Sequence, residues 1–127
     1  MSECIKNRLE LAKQFRDCRK AILALGDEIR QQIILTLLEN EQTGMRVGEI
    51  SKQVSLSRPA VSHHLQVLKK AKIISVYRKG TMNFYYINAD KTEWGKLTGL
   101  MNNIYDLVLQ ASKAGYPGRV EEEEAEK

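Results

Sequence analysis

The polar residues between Ser57 and Lys69 have the types and the spacing of side chains that bind DNA bases. Ser57 is a good helix N-cap and Pro59 falls in the first turn, so a helix is predicted to begin at about Arg58. Its apolar residues recur every three or four positions and form one stripe that must face a core: Val61, Leu65, Leu68 and Ala71. The opposite face carries donors and acceptors that reach base edges in a major groove: Arg58, Ser62, His63, Gln66 and Lys69.

The charge pattern favours nucleic acid over a merely solvated helix face. No Asp or Glu lies between Glu49 and Asp90, a stretch that holds seven cations: Lys52, Arg58, Lys69, Lys70, Lys72, Arg78 and Lys79. Ordinary surfaces mix both signs, whereas a phosphate backbone is bound by cations with no carboxylates among them. The whole chain has a net charge of +4 and its last nine residues carry −3, so residues 1–118 carry +7.

Length and composition exclude several classes of protein. With 127 residues, 43% of them hydrophobic, the chain is predicted to form one domain over residues 1–114. There is no signal peptide and no run of eighteen apolar residues, which predicts a cytoplasmic protein without a membrane partner. The sequence has no nucleophile and base pairing, no glycine-rich phosphate loop and no set of metal ligands, so we expect neither an enzyme nor a cofactor or metal site.

The residues before the recognition helix predict three further helices. Apolar residues at steps of three or four predict one long amphipathic helix over residues 2–25, which Gly26 ends. Asp27 can cap a second helix that ends near Asn40, with a buried face made of Ile29, Ile33, Ile34, Leu37 and Leu38. Val47, Ile50 and Val54 support two helical turns before the recognition helix. A short helix, a tight turn and an exposed helix form a helix-turn-helix at about residues 46–71.

A β-hairpin is predicted at about residues 73–87. Two runs rich in Ile, Val, Tyr and Phe are separated by Arg78, Lys79, Gly80 and Thr81, and Gly80 can adopt the positive φ of a hairpin turn. A hairpin after a helix-turn-helix is the wing of a winged helix. Arg78 and Lys79 on its tip would lie against the phosphates or the minor groove beside the recognition helix.

The first and last helices are predicted to form a dimer. Asp90 to Glu93 has capping-box spacing and begins a helix that runs to about Lys113. The apolar stripes of the two terminal helices exceed what a small helix-turn-helix can cover, so we expect a second copy to bury them. The predicted interface residues are Ile5, Leu9, Ala12, Trp94, Leu97, Met101, Ile104 and Val108. Residues 115–127 are predicted to be an acidic, disordered tail, either solvated or mimicking DNA.

These residues resemble the ArsR/SmtB family of winged-helix repressors, in the segment ALGDEIRQQIILTLLE and in VGEISKQVSLSRPAVSHHLQVLKKAKIISVYRKGTMNFYYI. The resemblance covers roughly residues 20–110. It implies a mainly α fold with a small β-hairpin and an α-α-α-α-β-β-α order, a homodimer joined through its first and last helices, and operator DNA as the partner. It also implies repression relieved by an inducer, which the sequence does not identify. By position, Arg58, Ser62 and His63 match family residues that approach bases, and the hairpin tip matches the wing.

The sequence departs from this family in its metal-binding positions. Where many members have a CVC or CVG motif, this chain has Arg46, Val47 and Gly48. A second family site on the last helix maps to positions without imidazole: Asp90, Thr92, Asn103 and Asp106. A tight zinc site is therefore not expected.

Cys4 and Cys18 leave an alternative sensing chemistry open. Within one helix they would lie about 21 Å apart, beyond disulfide reach, but two antiparallel first helices of a dimer would bring Cys4 of one chain near Cys18 of the other. The competing interpretation is that both are small apolar residues on the dimer face.

The leading hypothesis is a homodimeric, sequence-specific repressor that binds double-stranded DNA. One alternative is a repressor that senses redox state or soft metals through Cys4 and Cys18. Another, from a different class, is a winged-helix module that binds a protein partner.

Overall fold

The computed structural model describes residues 3–40, 43–88 and 91–115, and within them the chain forms six helices and a two-stranded antiparallel sheet. In chain order these elements are α1 (Glu3–Asp17), α2 (Arg19–Leu25), α3 (Glu28–Glu39), α4 (Val47–Val54), α5 (Arg58–Lys70), β1 (Ile74–Lys79), β2 (Met82–Ile87) and α6 (Lys91–Lys113). The mainly α winged-helix architecture predicted from the sequence is confirmed, with one helix more than expected.

The additional helix arises from a break at Cys18, so the prediction of a single helix over residues 2–25 is wrong. The Cys18 N–H is shared between the carbonyls of Gln14 and Phe15, both at 3.1 Å, which tightens the end of α1. Beyond the break, Cys18, Ala21 and Ala24 are buried, and these small side chains let α2 pack closely on α3 and α5. The segment that was predicted as one helix therefore packs on two surfaces, because α2 contacts α3 and α5 whereas α1 contacts α6.

The second predicted helix is confirmed as α3, although its buried face is narrower than expected. Asp27 caps it by accepting a hydrogen bond from the Arg30 N–H at 3.0 Å. Its buried residues are Ile33, Ile34 and Leu37. Ile29 and Leu38 were predicted to be buried but are 37% and 63% exposed, because neighbouring elements cover only one side of α3.

The helix-turn-helix is confirmed as α4, a short turn and α5. Ser55 ends α4 with a left-handed φ of 57°, and the Ser51 hydroxyl donates to the Leu56 carbonyl across the turn. Ser57 then caps α5 through its Oγ, which accepts from the Ala60 N–H at 3.3 Å. The most deeply buried side chains form one core beneath these helices and the sheet: Ile33, Ile50, Val61, Leu65, Leu68, Ile73, Ile74 and Leu100.

The wing is confirmed as β1 and β2, which pair from Ile74 opposite Ile87 to Lys79 opposite Met82. Arg78 and Lys79 belong to β1 itself, and the turn is Gly80-Thr81, in which Gly80 has a φ of 64°. Met45 joins the hairpin to the helices, because Met45 and Tyr85 exchange two backbone hydrogen bonds of 2.8 Å.

The last helix ends at Lys113 as predicted and is fixed to the core near its start. The Trp94 indole N–H donates to the Ile73 carbonyl at 3.3 Å, and Leu97 and Leu100 are buried. Asp90, the predicted cap, and the acidic segment 116–127 lie outside the described residues. No helix in the described part of the chain is long and apolar enough to span a membrane.

Candidate nucleic-acid interface

The recognition helix α5 divides into a buried and an exposed side as the sequence predicts. Val61, Leu65 and Leu68 have no exposed surface and fix the helix on the core. On the other side His63, Gln66 and Lys69 are exposed, and Ser62 is half-buried. The four polar side chains therefore stand together on one ridge of the surface, which is accessible to a ligand as large as duplex DNA.

The wing tip presents two exposed cations, Arg78 and Lys79. Arg78 is held on the turn by its own backbone, because its Nε–H donates to the Gly80 carbonyl at 3.0 Å. The middle of the wing is stiffened by aromatic packing, with the Tyr77 and Phe84 rings stacked at 5.2 Å and the Tyr77 hydroxyl donating to the Thr43 carbonyl at 2.9 Å. The tip charges are thus carried on a braced hairpin.

A cleft of about 600 Å³ separates the helix-turn-helix from the wing. One wall is the start of α4 and of α5, and the other wall is residues 81–84 of the turn and β2. Its lining includes three cations, Arg46, Lys52 and Arg58, and one carboxylate, Glu49. The Glu49 Oε1 accepts from the Arg46 backbone N–H at 3.0 Å, so this carboxylate is engaged in capping α4.

Arg58 is placed differently from the other polar residues of α5. Its guanidinium lies over α4, so close to Gly48 that a methyl group added there would be 2.8 Å from the Arg58 Nη2. The structure therefore directs this side chain into the cleft. Base reading by Arg58, as expected from the resemblance, stays a prediction.

Arg46 and Lys52 were not predicted as site residues. Lys52 belongs to the acid-free stretch after Glu49, and Arg46 replaces a thiolate position of the resembled family, so both carried a signal. What the sequence alone does not reveal is that β2 of the wing lies beside α4, so that both residues line one cleft with Arg58.

Behind the recognition helix, His64 is held in a small polar cluster. Arg30 donates to the carbonyls of Ala24 at 2.7 Å and Leu23 at 3.2 Å, which lie at the end of α2, and its Nη1 lies 3.4 Å from the His64 Nδ1. The Asp27 Oδ2 lies 3.9 Å from the same nitrogen. His64 is thus a partly buried, packed side chain, and the cluster connects α5 to the end of α2 and the start of α3.

We expect Asp27 to make folding stability depend on acid pH. The hydrogen bond from the Arg30 N–H, together with the charges of Arg30 and His64, holds the pKa of Asp27 below its ordinary value of 3.8, against a smaller opposing effect of burial. The resulting stability is fully present above the unfolded pKa and is lost as the pH falls through the lower folded pKa.

The measurement is the urea unfolding midpoint of wild type and Asp27→Asn, a substitution that keeps a capping oxygen but no charge. Their difference should be largest at about pH 7 and shrink toward zero at about pH 2. A difference that stays constant over this range would show that the charge of Asp27 does not contribute.

The exposed apolar residues on α1 and α6 form a face that the single chain leaves uncovered. Ile5, Leu9, Met101 and Val108 from the predicted dimer interface are between 44% and 54% exposed, and Tyr105 and Leu109 extend the same surface of α6. Leu97 is a correction: it is 8% exposed and belongs to the core of its own chain. Ala12, Trp94 and Ile104 are half-buried, the last two packed against that core. The burial of Leu97 and the exposure of Met101 and Val108 have one cause, because α6 packs only one of its sides against its own chain.

In the described residues, Cys18 and the potential metal ligands are not assembled into a site. Cys18 is a free thiol, 3% exposed and packed in the core of its own chain instead of on a dimer face. The predicted pairing with Cys4 involves a side chain that lies outside the described residues. The described residues hold no group of three or more His, Cys, Asp or Glu able to bind a metal.

A basic wing beside an exposed recognition helix defines a winged helix-turn-helix protein of the nucleic-acid-binding class. The family model described as bacterial regulatory protein, arsR family, matches residues 27–76, from the cap of α3 into β1. The chain belongs to this family.

Three similar proteins agree with this assignment. An uncharacterized HTH-type transcriptional regulator of Methanocaldococcus jannaschii is 36% identical over 81 residues, 64% of this chain and 89% of that protein. The transcriptional repressor SdpR of Bacillus subtilis is 35% identical over 75 residues, 56% of this chain and 80% of that protein. The solution structure of a homodimeric winged helix-turn-helix DNA-binding domain from Mycobacterium bovis, a possible ArsR-family regulator, has a TM-score of 0.50 at 22% identity and covers 87% of this chain and 92% of that chain.

Proposed function

We propose that this member of the arsR family is a homodimeric transcriptional repressor that acts in the cytoplasm by binding double-stranded operator DNA. The observation that carries the proposal is the exposed polar ridge of α5, flanked by a basic wing tip, in a segment of the chain without carboxylates. In this proposal α5 enters a major groove while Arg78 and Lys79 contact the adjacent backbone.

The residues proposed to contact DNA divide into two groups. Ser62, His63 and Gln66 face bases, because their hydroxyl, imidazole and amide groups can donate or accept hydrogen bonds and stand on the exposed side of α5. The remaining predicted residues contact phosphate or hold the helix start: Ser57, Arg58, Lys69, Arg78 and Lys79. Arg58 is assigned to this group, although the resemblance implies base reading for it, because its guanidinium lies in the cleft beside α4. Ser57 already accepts the Ala60 N–H, so its main contribution is to fix where α5 begins.

A homodimer is the second part of the proposal. It is supported by the uncovered apolar face of α1 and α6 and by the homodimeric state of the Mycobacterium bovis domain, which has the same fold. A dimer places two recognition helices at a fixed spacing, so each operator should contain two related half-sites about one helical turn apart.

The purified chain is expected to bind duplex DNA and to lose affinity steeply with salt. Selection from a pool of random duplexes would supply the operator, and titrations at several salt concentrations would compare it with a scrambled duplex. Each phosphate contact should contribute about 0.9 to the slope of log affinity against log salt.

Two results would contradict this proposal. Equal affinity for the selected and scrambled duplexes would mean that α5 does not read sequence. Absence of binding to any duplex at low salt would favour the protein-interaction alternative, in which the same basic surface binds an acidic partner.

A further inference from the structure

We infer that the cleft between α4 and the wing holds a phosphate of the DNA backbone, and that Gly48 positions the Arg58 guanidinium to bind it. This inference rests on the proposed DNA-binding function and adds a phosphate site to the recognition helix and the wing tip. The proposed occupant is a backbone phosphate of a duplex that contacts both the recognition helix and the wing tip.

The charge of the lining favours an anion. Arg46, Lys52 and Arg58 contribute three positive charges against the single carboxylate of Glu49, whose Oε1 is hydrogen-bonded to a backbone N–H. A guanidinium presents parallel N–H donors that match two phosphate oxygens, and a lysine adds a compact charge. Val47 and Gly48, in the first turn of α4, also line the cleft, and the first turn is the positive end of a helix.

Gly48 is required for the observed position of Arg58. A methyl group at Gly48 would lie 2.8 Å from Nη2, 3.2 Å from Cζ and 3.4 Å from Nε of Arg58. All three atoms belong to the guanidinium group, so this group occupies the space that any other residue would fill with its own Cβ. Because the clash involves the end of a flexible side chain, a larger residue at position 48 displaces the guanidinium and leaves the helix intact.

The position of the cleft favours DNA over a free anion. It lies between the start of α5 and residues 81–84 of the wing, which follow the proposed backbone contacts Arg78 and Lys79 across the hairpin turn. A backbone that crosses from the recognition helix to the wing tip must pass this opening. The cleft then fixes the phosphate between the base-reading and wing contacts, which sets the register of α5 in the groove.

Gly48→Ala tests the phosphate site without weakening the fold. Alanine is more favourable than glycine inside a helix, so the thermal unfolding midpoint should stay equal or rise. Affinity should nevertheless fall about threefold to tenfold on operator and scrambled duplex alike, since a phosphate contact carries no sequence information. The matched control is Gly95→Ala in α6, where an added methyl group meets no atom within 4 Å. That control should also stabilise the helix and leave DNA affinity unchanged.

Two further measurements identify the group bound in the cleft. Arg46→Ala and Lys52→Ala should each lower the salt slope by roughly one ion per subunit. Arg58→Ala should cost little additional affinity in the Gly48→Ala background, because both changes remove the same contact.

The inference is overturned if Gly48→Ala binds DNA as wild type does, or if its loss is confined to the operator, which would make Arg58 a base-reading residue. It is also overturned if Arg46→Ala and Lys52→Ala both leave the salt slope as it is in the wild type, which would show that these cations do not contact a phosphate. These failures are distinct from failure of the proposed function, in which the wild type itself would bind no duplex.

Discussion

Met101→Glu is expected to convert the proposed dimer into a monomer with at least about a hundredfold weaker operator binding. The side chain is 52% exposed on α6, so a carboxylate there is tolerated in the single folded chain. In a dimer the same position would be buried against the partner, where an unpaired charge costs several kcal/mol. Loss of the dimer also removes the second half-site contact, which otherwise binds at a high effective concentration of about millimolar.

The measurement is sedimentation at micromolar concentration, followed by an operator titration. Leu9→Glu on α1 should behave in the same way, since Leu9 is 54% exposed on the same proposed face. Leu38→Glu is the matched control, because this leucine is 63% exposed on α3, away from both terminal helices. A wild-type monomer, or a Met101→Glu protein that stays dimeric, would refute dimerisation through α1 and α6.

The structure changes which residues make this test informative. From the sequence alone, every apolar residue of the last stripe is an equal candidate for the interface, Ile104 and Leu97 included. In the folded chain these two pack toward their own core, so charged substitutions there would unfold the protein and reveal nothing about association. A period of three or four residues shows that a helix has an apolar side, but it does not show whether that side covers its own chain or a partner.

The features that the sequence predicts well are those fixed by local chemistry. Asp27 and Ser57 each accept a backbone N–H three residues onward, which determines where α3 and α5 begin. Gly80 provides the positive φ of the hairpin turn. These choices depend on a few neighbouring atoms, so the residue types are sufficient to locate them.

The features that the sequence misses depend on tertiary contacts. The break at Cys18 leaves the three-or-four spacing of apolar residues intact, yet it lets small side chains pack against α3 and α5 while α1 turns to α6. The cleft between the helix-turn-helix and the wing is a second example, because Arg46 and Arg58 are separated by twelve positions and line one cleft only through the packing of α4, α5 and β2. Neither feature follows from residue types along a single element.

The position of Arg58 in the cleft makes Gln66 the residue of α5 expected to discriminate most strongly between bases. A side chain that discriminates strongly between bases needs two hydrogen bonds, and an amide can donate to and accept from the N7 and N6 of adenine together. With the Arg58 guanidinium placed over α4, Gln66 is the exposed residue near the middle of α5 that has such a group. Gln66→Ala should therefore cost about 1 to 3 kcal/mol on the operator and little on random duplex, and it should relax preference at one base pair per half-site.

Substitutions on the wing should have the opposite effect to Gln66→Ala. Comparing the two kinds of variant tests which residues contact bases and which contact the backbone. Arg78→Ala and Lys79→Ala remove charges on a hairpin tip that reaches the backbone, so each should weaken both duplexes alike and lower the salt slope by roughly one ion per subunit. Ser62→Ala and His63→Ala should resemble Gln66→Ala with smaller losses, because one hydrogen bond discriminates less than two. The measurement is a titration of each variant on operator and scrambled duplex at several salt concentrations. Equal losses on both duplexes for Gln66→Ala would show that this residue contacts phosphate, and base reading would then have to be sought in His63 and Ser62.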